Sequence, residues 1–255
     1  MVDGPIAYVC PERQVHVIDE TGTHTPQTSA SPDPLVWGNW ATSKTHTVEH
    51  SWPTWSPDGK RIACFRIPQG GAPRVLVLKV NGIESSELVD LGSRLPIYLF
   101  WSPNGEQLGV LSQSLSDDGD KLSLTCLRPD KLGFERQICE GTPLFFTWFG
   151  ERIAAYVGGA STGATCLSVT DPGGRLPTDI LPGVPSNFCA PVALGDQLLY
   201  VGIHKGGTHI MRAGIGDSTP KLIQPVDGLV GLVASPDHTM VACAVAPGGD
   251  GTAYR

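Results

Sequence analysis

Short apolar runs separated by turn residues cover most of the chain. In the best example, "RIACFRI" from Arg61 and "RVLVLKV" from Arg74 are rich in β-branched and aromatic residues, which is typical of strands. The stretch "PQGGAP" separates them, and Asn81-Gly82 marks the next tight turn. With "SWPTW" before and "SSELVDLG" after, these runs predict a meander of four short antiparallel strands.

The sequence contains a repeated motif, called here the repeated phrase. "WSPDGKRIACF" begins at Trp55, and the near copy "WSPNGEQLGVL" begins at Trp101. A weaker copy keeps Ser235, Pro236 and Asp237. The turn glycines are evenly spaced at steps of 46, 45 and 45 residues, at Gly59, Gly105, Gly150 and Gly195.

A period of 40 to 50 residues made of strands predicts an all-β fold, a β-propeller of four-stranded antiparallel blades. We expect one domain over residues 1–255, with about six blades and incomplete terminal ones. The expected repeat units are 1–29, 46–91, 95–140, 143–182, 188–225 and 229–255. Residues 6–29 are expected to be the last three strands of a blade, and Trp55 and Trp101 to lie between adjacent sheets.

The two best copies resemble the WD40-like repeat of TolB-type propellers, and this blade style is similar to the propeller domains of prolyl oligopeptidase relatives. By period, the resemblance covers nearly the whole chain. It implies the fold, and it says little about function because one fold carries many activities.

Composition excludes several classes of partner. The net charge is −7 and no run of lysine or arginine occurs, which disfavours nucleic acid and anionic membranes. No stretch reaches the roughly 18 apolar residues of a membrane span, and the first residues do not read as a signal peptide. We therefore expect a soluble, cytoplasmic protein, or a periplasmic one if a leader has been removed. The seven cysteines are interpreted as buried free thiols; the oligomeric state is left open.

Three catalytic or metal-binding patterns occur outside the context that they require. "GASTG" at 159–163 fits a nucleophile elbow but lies between strands, and "HTVEH" at 46–50 fits a zinc motif but lacks a helix. The acidic stretch "SDDGDKL" lacks the spacing of a calcium loop. We expect no metal and no cofactor.

Function is expected at the rim formed by the crossings between blades and by the hairpins between second and third strands. The candidate binding residues are Trp37, Trp40, His46, His50, Arg94, Asp117, Asp118, His204 and Lys205. Aromatic and mixed-charge side chains favour a non-catalytic module that binds a protein or peptide. Two alternatives stay open. One is the gating propeller of a larger serine peptidase; the other is a metal-dependent lyase or lactonase in which His46, His50 or His204 meet at one ion.

Overall fold

The computed structural model describes residues 4–29, 48–80, 85–114, 121–158, 165–173, 178–181, 184–185, 190–227, 229–235 and 239–246. Strands and turns account for their regular structure, and no helix occurs among them. In the same residues, no helix has the length and apolar character needed to cross a membrane.

The strands of the first half form three sheets, in which chain neighbours are also sheet neighbours. The first sheet contains β1 (Ile6–Val9), β2 (Val15–Ile18) and β3 (His24–Pro26). The second contains β4 (Val48–Trp55), β5 (Arg61–Pro68), β6 (Arg74–Lys79) and β7 (Ser85–Asp90). The third contains β8 (Leu95–Trp101), β9 (Leu108–Ser114), β10 (Lys121–Leu127) and β11 (Glu135–Gly141).

The second half forms three more sheets. The fourth contains β12 (Leu144–Phe149), β13 (Arg152–Gly158), β14 (Thr165–Thr170) and β15 (Asp179–Ile180). The fifth contains β16 (Val184–Pro185), β17 (Val192–Leu194), β18 (Gln197–His204), β19 (Gly207–Gly214) and β20 (Lys221–Pro225), and both β16 and β17 pair with β18. The sixth contains β21 (Leu229–Ala234) and β22 (Val241–Ala246). The predicted four-stranded antiparallel meander is confirmed.

The repeated phrase forms the turn between the first two strands of a sheet. The amide of Gly59 donates to the carbonyl of Ser56 at 2.9 Å, and the buried Ser56 hydroxyl accepts the amide of Arg61 at 3.0 Å. All four marker glycines have a positive φ, between 57° and 71°. Glycine is the residue that adopts this conformation without a steric penalty, which explains its recurrence.

The first sheet contains the same turn with a different sequence. The amide of Arg13 donates to the carbonyl of Cys10 at 2.9 Å, as Gly59 does to Ser56, and Arg13 has a φ of 60°. Strand β1, which leads into this turn, lies beside β4, the first strand of the second sheet. The expectation that residues 6–29 lack a first strand is therefore wrong. In the described residues it is the fourth strand that the first sheet lacks.

The chain divides into two compact units, residues 1–120 with 125–137 and residues 121–124 with 138–255. The prediction of one domain stays a prediction.

In the first unit, one apolar cluster includes Phe65 and Val75 of the second sheet and Leu99 of the third. Trp55 packs on a cluster shared by the first and second sheets, and Trp101 is buried against the second, so their positions between sheets are confirmed. In the second unit, clusters join the fourth sheet to the fifth and the fifth to the sixth.

The described cysteines are free thiols in different surroundings. Cys10, Cys64 and Cys126 are buried, and burial raises the pKa of the Cys64 and Cys126 thiols to about 12. Cys243 is exposed, which differs from the expectation. Cys189 lies outside the described residues.

Candidate functional site

Most of the predicted rim cannot be placed. Five of its nine residues lie outside the described part of the chain: Trp37, Trp40, His46, Asp117 and Asp118. The "GASTG" stretch and the acidic tip "SDDGD" of the last motif lie outside it as well. Their roles stay predictions.

His50 lies in the core and not on an exposed rim. Its side chain is 3% exposed, and its Nδ1 donates to Oε1 of Gln14 at 3.1 Å. The amide of the Gln14 side chain donates in turn to the carbonyl of Val48 at 2.8 Å. Burial lowers the pKa of His50 from 6.5 to about 4, and the positive charge of Arg66 acts in the same direction. His50 is therefore a neutral structural link between the first two sheets.

The other three rim residues are at least partly exposed. Arg94, in the crossing between β7 and β8, pairs with the carboxylate of Glu135 at 2.6 Å, and its Nε donates to the carbonyl of Leu91 at 3.0 Å. His204 and Lys205 form the tip of the β18–β19 hairpin, where Lys205 has a φ of 49°. Their binding roles stay predictions.

The structure brings together three aromatic side chains that were not among the predicted residues. The ring centroids of Trp52 and Tyr98 are 5.7 Å apart, those of Trp52 and Phe100 are 6.3 Å apart, and those of Tyr98 and Phe100 are 5.2 Å apart. Trp52 is 45% exposed and Phe100 is 40% exposed. We call these three residues the aromatic platform. It lies on β4 and β8, the first strands of two successive sheets.

The three rings lie at or next to two irregularities in strand pairing. The β4–β5 register shifts between Ser51 and Thr54, and the β8–β9 register shifts between Pro96 and Tyr98. Trp52 stands in the first shift with a φ of 52°, which is costly for a bulky side chain. Bulges redirect side chains and are common at functional sites, and strained backbone of this kind is retained where it serves a role.

The geometry of the platform limits what it can bind. The three rings contact one another, so they leave no gap in which a cation could be surrounded. Two of the rings are exposed, and amphipathic Trp and Tyr rings are enriched in protein-binding hot spots. The arrangement suits an apolar side chain packing onto the rings from outside.

The sequence contained a weak signal for the platform. "SWPTW" and "PIYLFW" place further aromatic residues shortly before Trp55 and Trp101. Strict alternation does not say which of them is exposed, because each bulge changes the face to which the following residues belong. Pairing of the strands was needed to decide this.

A cavity of about 310 Å³ lies near the turn of the third sheet. Arg61 and Arg128 line it together with Glu106 and Asp130. Arg128 is already engaged by Asp130 through two bonds of 3.1 and 2.8 Å, and its pKa is raised by that bond and charge. The charges of the cavity are balanced within the protein. Among the described residues, no group of three His, Cys, Asp or Glu side chains could hold a metal ion.

Comparison with solved structures identifies the fold. No family model and no curated protein matches the sequence. The β-propeller domain of the Trilobed protease from Pyrococcus furiosus matches 90% of this chain with 69% of its own, at a TM-score of 0.56 and 12% identity. The acylaminoacyl peptidase of Pyrococcus horikoshii is also similar, with a TM-score of 0.57 and 13% sequence identity. The match covers 89% of this chain and 38% of the peptidase.

A third similar structure is the oligogalacturonate lyase from Vibrio parahaemolyticus, which matches 89% of this chain with 63% of its own, at a TM-score of 0.58 and 11% identity. The chain thus spans less than two thirds of the acylaminoacyl peptidase and of the lyase. Such low identities establish the fold alone. The resemblance to peptidase propellers expected from the repeats is confirmed at that level, and the chain is a β-propeller of four-stranded antiparallel blades, similar to the propellers of these peptidases.

Proposed function

We propose that this propeller binds a protein or peptide partner and that the aromatic platform is its main contact. The observation that carries the proposal is the exposure of Trp52 and Phe100, beside two shifts in strand register and, at Trp52, a strained backbone. An exposed cluster of large apolar side chains is typical of an interaction surface. Tryptophan and tyrosine are the residue types most enriched among interface hot spots.

The test is a binding selection with a library of displayed peptides of random sequence. Peptides that enrich on the folded protein are then measured against Trp52→Ala and Phe100→Ala. Truncating a hot spot costs at least about 2 kcal/mol, so we expect affinity to fall roughly 30-fold or more. Leu132→Ala is the matched control, because Leu132 is also a large exposed side chain, at 68%, away from the platform.

Two results count against the proposal. One is that no peptide enriches. The other is that the selected peptides bind the platform variants and the control equally well. In the second case the predicted rim residues Arg94, His204 and Lys205 become the next positions to substitute.

A second candidate function is that of a propeller within a larger serine peptidase. The match of 89% of this chain to 38% of the acylaminoacyl peptidase supports it. The test is the intact mass of the natural gene product, compared with the 27.0 kDa of this chain. A mass larger by a hydrolase-sized domain supports this candidate, and a mass of 27.0 kDa contradicts it.

A further inference from the structure

Two histidines lie side by side on the β18–β19 hairpin of the second unit. The ring centroids of His204 and His209 are 6.0 Å apart, and the two ring planes are nearly perpendicular, at 88°. In the strand register, His204 is opposite Gly207 and His209 is opposite Gly202. Directly opposed residues share a face of the sheet, and so do alternate residues of one strand. Both imidazoles therefore project from the same face of the hairpin.

A tight turn holds the two strands in this register. Lys205 and Gly206, which join them, have φ values of 49° and 80°. Positive φ at both central residues is the mark of a type I′ turn, whose twist matches that of an antiparallel hairpin. Beyond the turn, β18 and β19 pair over the full eight residues of each strand. The backbone positions of the two histidines are thus fixed by regular pairing.

Gly207 leaves space for the ring of His209. A Cβ at this position would lie 3.3 Å from Cε1 of His209 and 3.7 Å from the carbonyl oxygen of His204. Unlike Gly206, Gly207 does not have a positive φ, so its backbone conformation does not require glycine. The missing side chain is explained instead by the imidazole that lies over it.

A hydrogen bond determines which nitrogen of His209 carries a lone pair. Its Nδ1 donates to the carbonyl oxygen of Gly207 at 3.1 Å, so in the neutral ring Nε2 is the acceptor. Metal-binding histidines almost always donate their other ring N–H to a carbonyl, a carboxylate or water in this way. Among the described residues, no hydrogen bond occupies Nε2 of His209 or the ring nitrogens of His204.

We propose that His204 and His209 together bind one divalent transition-metal ion of the zinc class, with water in the remaining coordination positions. Imidazole nitrogen suits Zn²⁺, Ni²⁺ and Cu²⁺, whereas Ca²⁺ and Mg²⁺ take oxygen ligands. Two imidazoles on one tetrahedral Zn²⁺, with Zn–N distances of about 2.0–2.1 Å, have ring centroids about 5 Å apart. The two rings are about 1 Å further apart than this, and small rotations of these partly exposed side chains close the difference.

The site is an open one. In the part of the chain that the structure describes, no third His, Cys, Asp or Glu joins the pair. Closed sets of four protein ligands are typical of structural zinc, whereas sites with open positions exchange water and ligands. The sequence alone did not indicate the pair, because no metal motif has histidines at this spacing. The proposal does not depend on the aromatic platform, which lies on β4 and β8 of the first unit.

The test is a titration of the folded protein with Zn²⁺, followed by NMR of the imidazole nitrogens. Cys243→Ser is the background for every sample, because the exposed thiol of Cys243 can itself bind zinc. We expect one equivalent of Zn²⁺ to shift Nε2 of His209 and one ring nitrogen of His204 together. The signals are assigned with His204→Gln and His209→Gln.

Calorimetry of the same proteins measures the affinity. His204→Gln and His209→Gln should each weaken Zn²⁺ binding at least about 10-fold, because losing even an outer-shell partner of a metal ligand costs about 10- to 100-fold. His24→Gln is the matched control. His24 is an exposed histidine of the first sheet, with its Nδ1 bonded to the hydroxyl of Tyr8 at 2.6 Å, and this variant should bind Zn²⁺ as the background protein does.

Thermal unfolding separates a lost ligand from a lost fold. Without metal, the histidine variants should unfold at the same temperature as the background protein. Zn²⁺ should stabilise only the background protein and the His24 variant, since a ligand stabilises the state that binds it. The proposal is overturned if Zn²⁺ shifts only one of the two rings or neither. It is also overturned if His204→Gln and His209→Gln retain the background affinity, or if His24→Gln weakens binding as much as they do.

Discussion

The indole nitrogen of Trp101 donates to the carbonyl oxygen of Thr54 at 3.1 Å, across the boundary between the third and second sheets. The guanidinium of Arg61, on the second sheet, lies 4.6 Å above the Trp101 ring, and its Nη2 donates to the carbonyl of Gly105 at 3.0 Å. A residue of the repeated phrase thus joins its own sheet to the preceding one. Trp55 packs on the cluster shared by the first and second sheets, so the aromatic residue before the turn contacts the preceding sheet at both positions.

Trp101→Phe should lower the free energy of unfolding by about 1–2 kcal/mol. The phenyl ring keeps part of the packing, the hydrogen bond to Thr54 is lost and the cation–π contact with Arg61 is weaker. Urea denaturation measures the change. Trp52→Phe is the control; because Trp52 is exposed, it should change stability by less than about 0.5 kcal/mol. Equal effects of the two substitutions would contradict the proposed role of Trp101.

Arg13→Gly should stabilise the protein. Arg13 occupies the position of Gly59 with a φ of 60°, a conformation that costs a non-glycine residue roughly 1–2 kcal/mol. Greater freedom of glycine in the unfolded chain offsets up to about 1 kcal/mol of this gain. We expect a net increase of about 0.5–1 kcal/mol in the free energy of unfolding. Arg13→Ala keeps the strain, so an equal gain from alanine would assign the effect to the side chain.

The sequence predicts those features of the fold that depend on a few neighbouring residues, such as the turns. The marker glycines were recognised because a turn at positive φ selects its residue directly, and the spacing of Gly59 and Gly105 then revealed the blades. The first blade was misjudged because Arg13 replaces that glycine and Cys10 replaces the serine. Only the hydrogen bonds show that the turn is the same.

The candidate site depends on features that are not local. Trp52 is exposed because the β4–β5 register shifts beside it, and His50, two residues earlier, is buried because Gln14 of another sheet covers it. Both residues belong to strand β4, and neither the pattern of the sequence nor its composition predicts which of them is buried. The aromatic platform could therefore be identified only from the structure, whereas the blades could be predicted from the sequence.

Gly158→Ala should be strongly destabilising. A Cβ at this position would lie 2.6 Å from Cδ of Pro143 and 2.7 Å from the carbonyl oxygen of Thr142, and backbone cannot yield cheaply. Forced overpacking costs about 1–3 kcal/mol. Gly231→Ala is the control, because nothing lies within 4 Å of its Cβ position; that change should be neutral or stabilise by up to about 1 kcal/mol. Thermal unfolding of both variants measures the effect. Equal shifts in Tm for Gly158→Ala and Gly231→Ala would contradict the steric argument.

Acid should destabilise the contact between the first two sheets through His50. Its pKa is about 4 in the folded protein and 6.5 without burial, so the unfolded chain binds the proton at higher pH. The stabilising contribution of neutral His50 is therefore complete above pH 6.5 and is lost as the pH falls through 4. The total loss is roughly 3 kcal/mol, following from the linkage between proton binding and stability.

His50→Asn isolates this effect from the carboxylates that also titrate. Asparagine can donate to Gln14 but cannot take up a proton, so its free energy of unfolding should fall less than that of the wild type between pH 6.5 and 4. The measurement is urea unfolding of both proteins at several pH values, taken as the difference between them. If that difference is constant with pH, His50 does not titrate in this window. If the wild type instead gains stability relative to the variant as the pH falls, His50 is charged in the folded state and Gln14 cannot be its sole support.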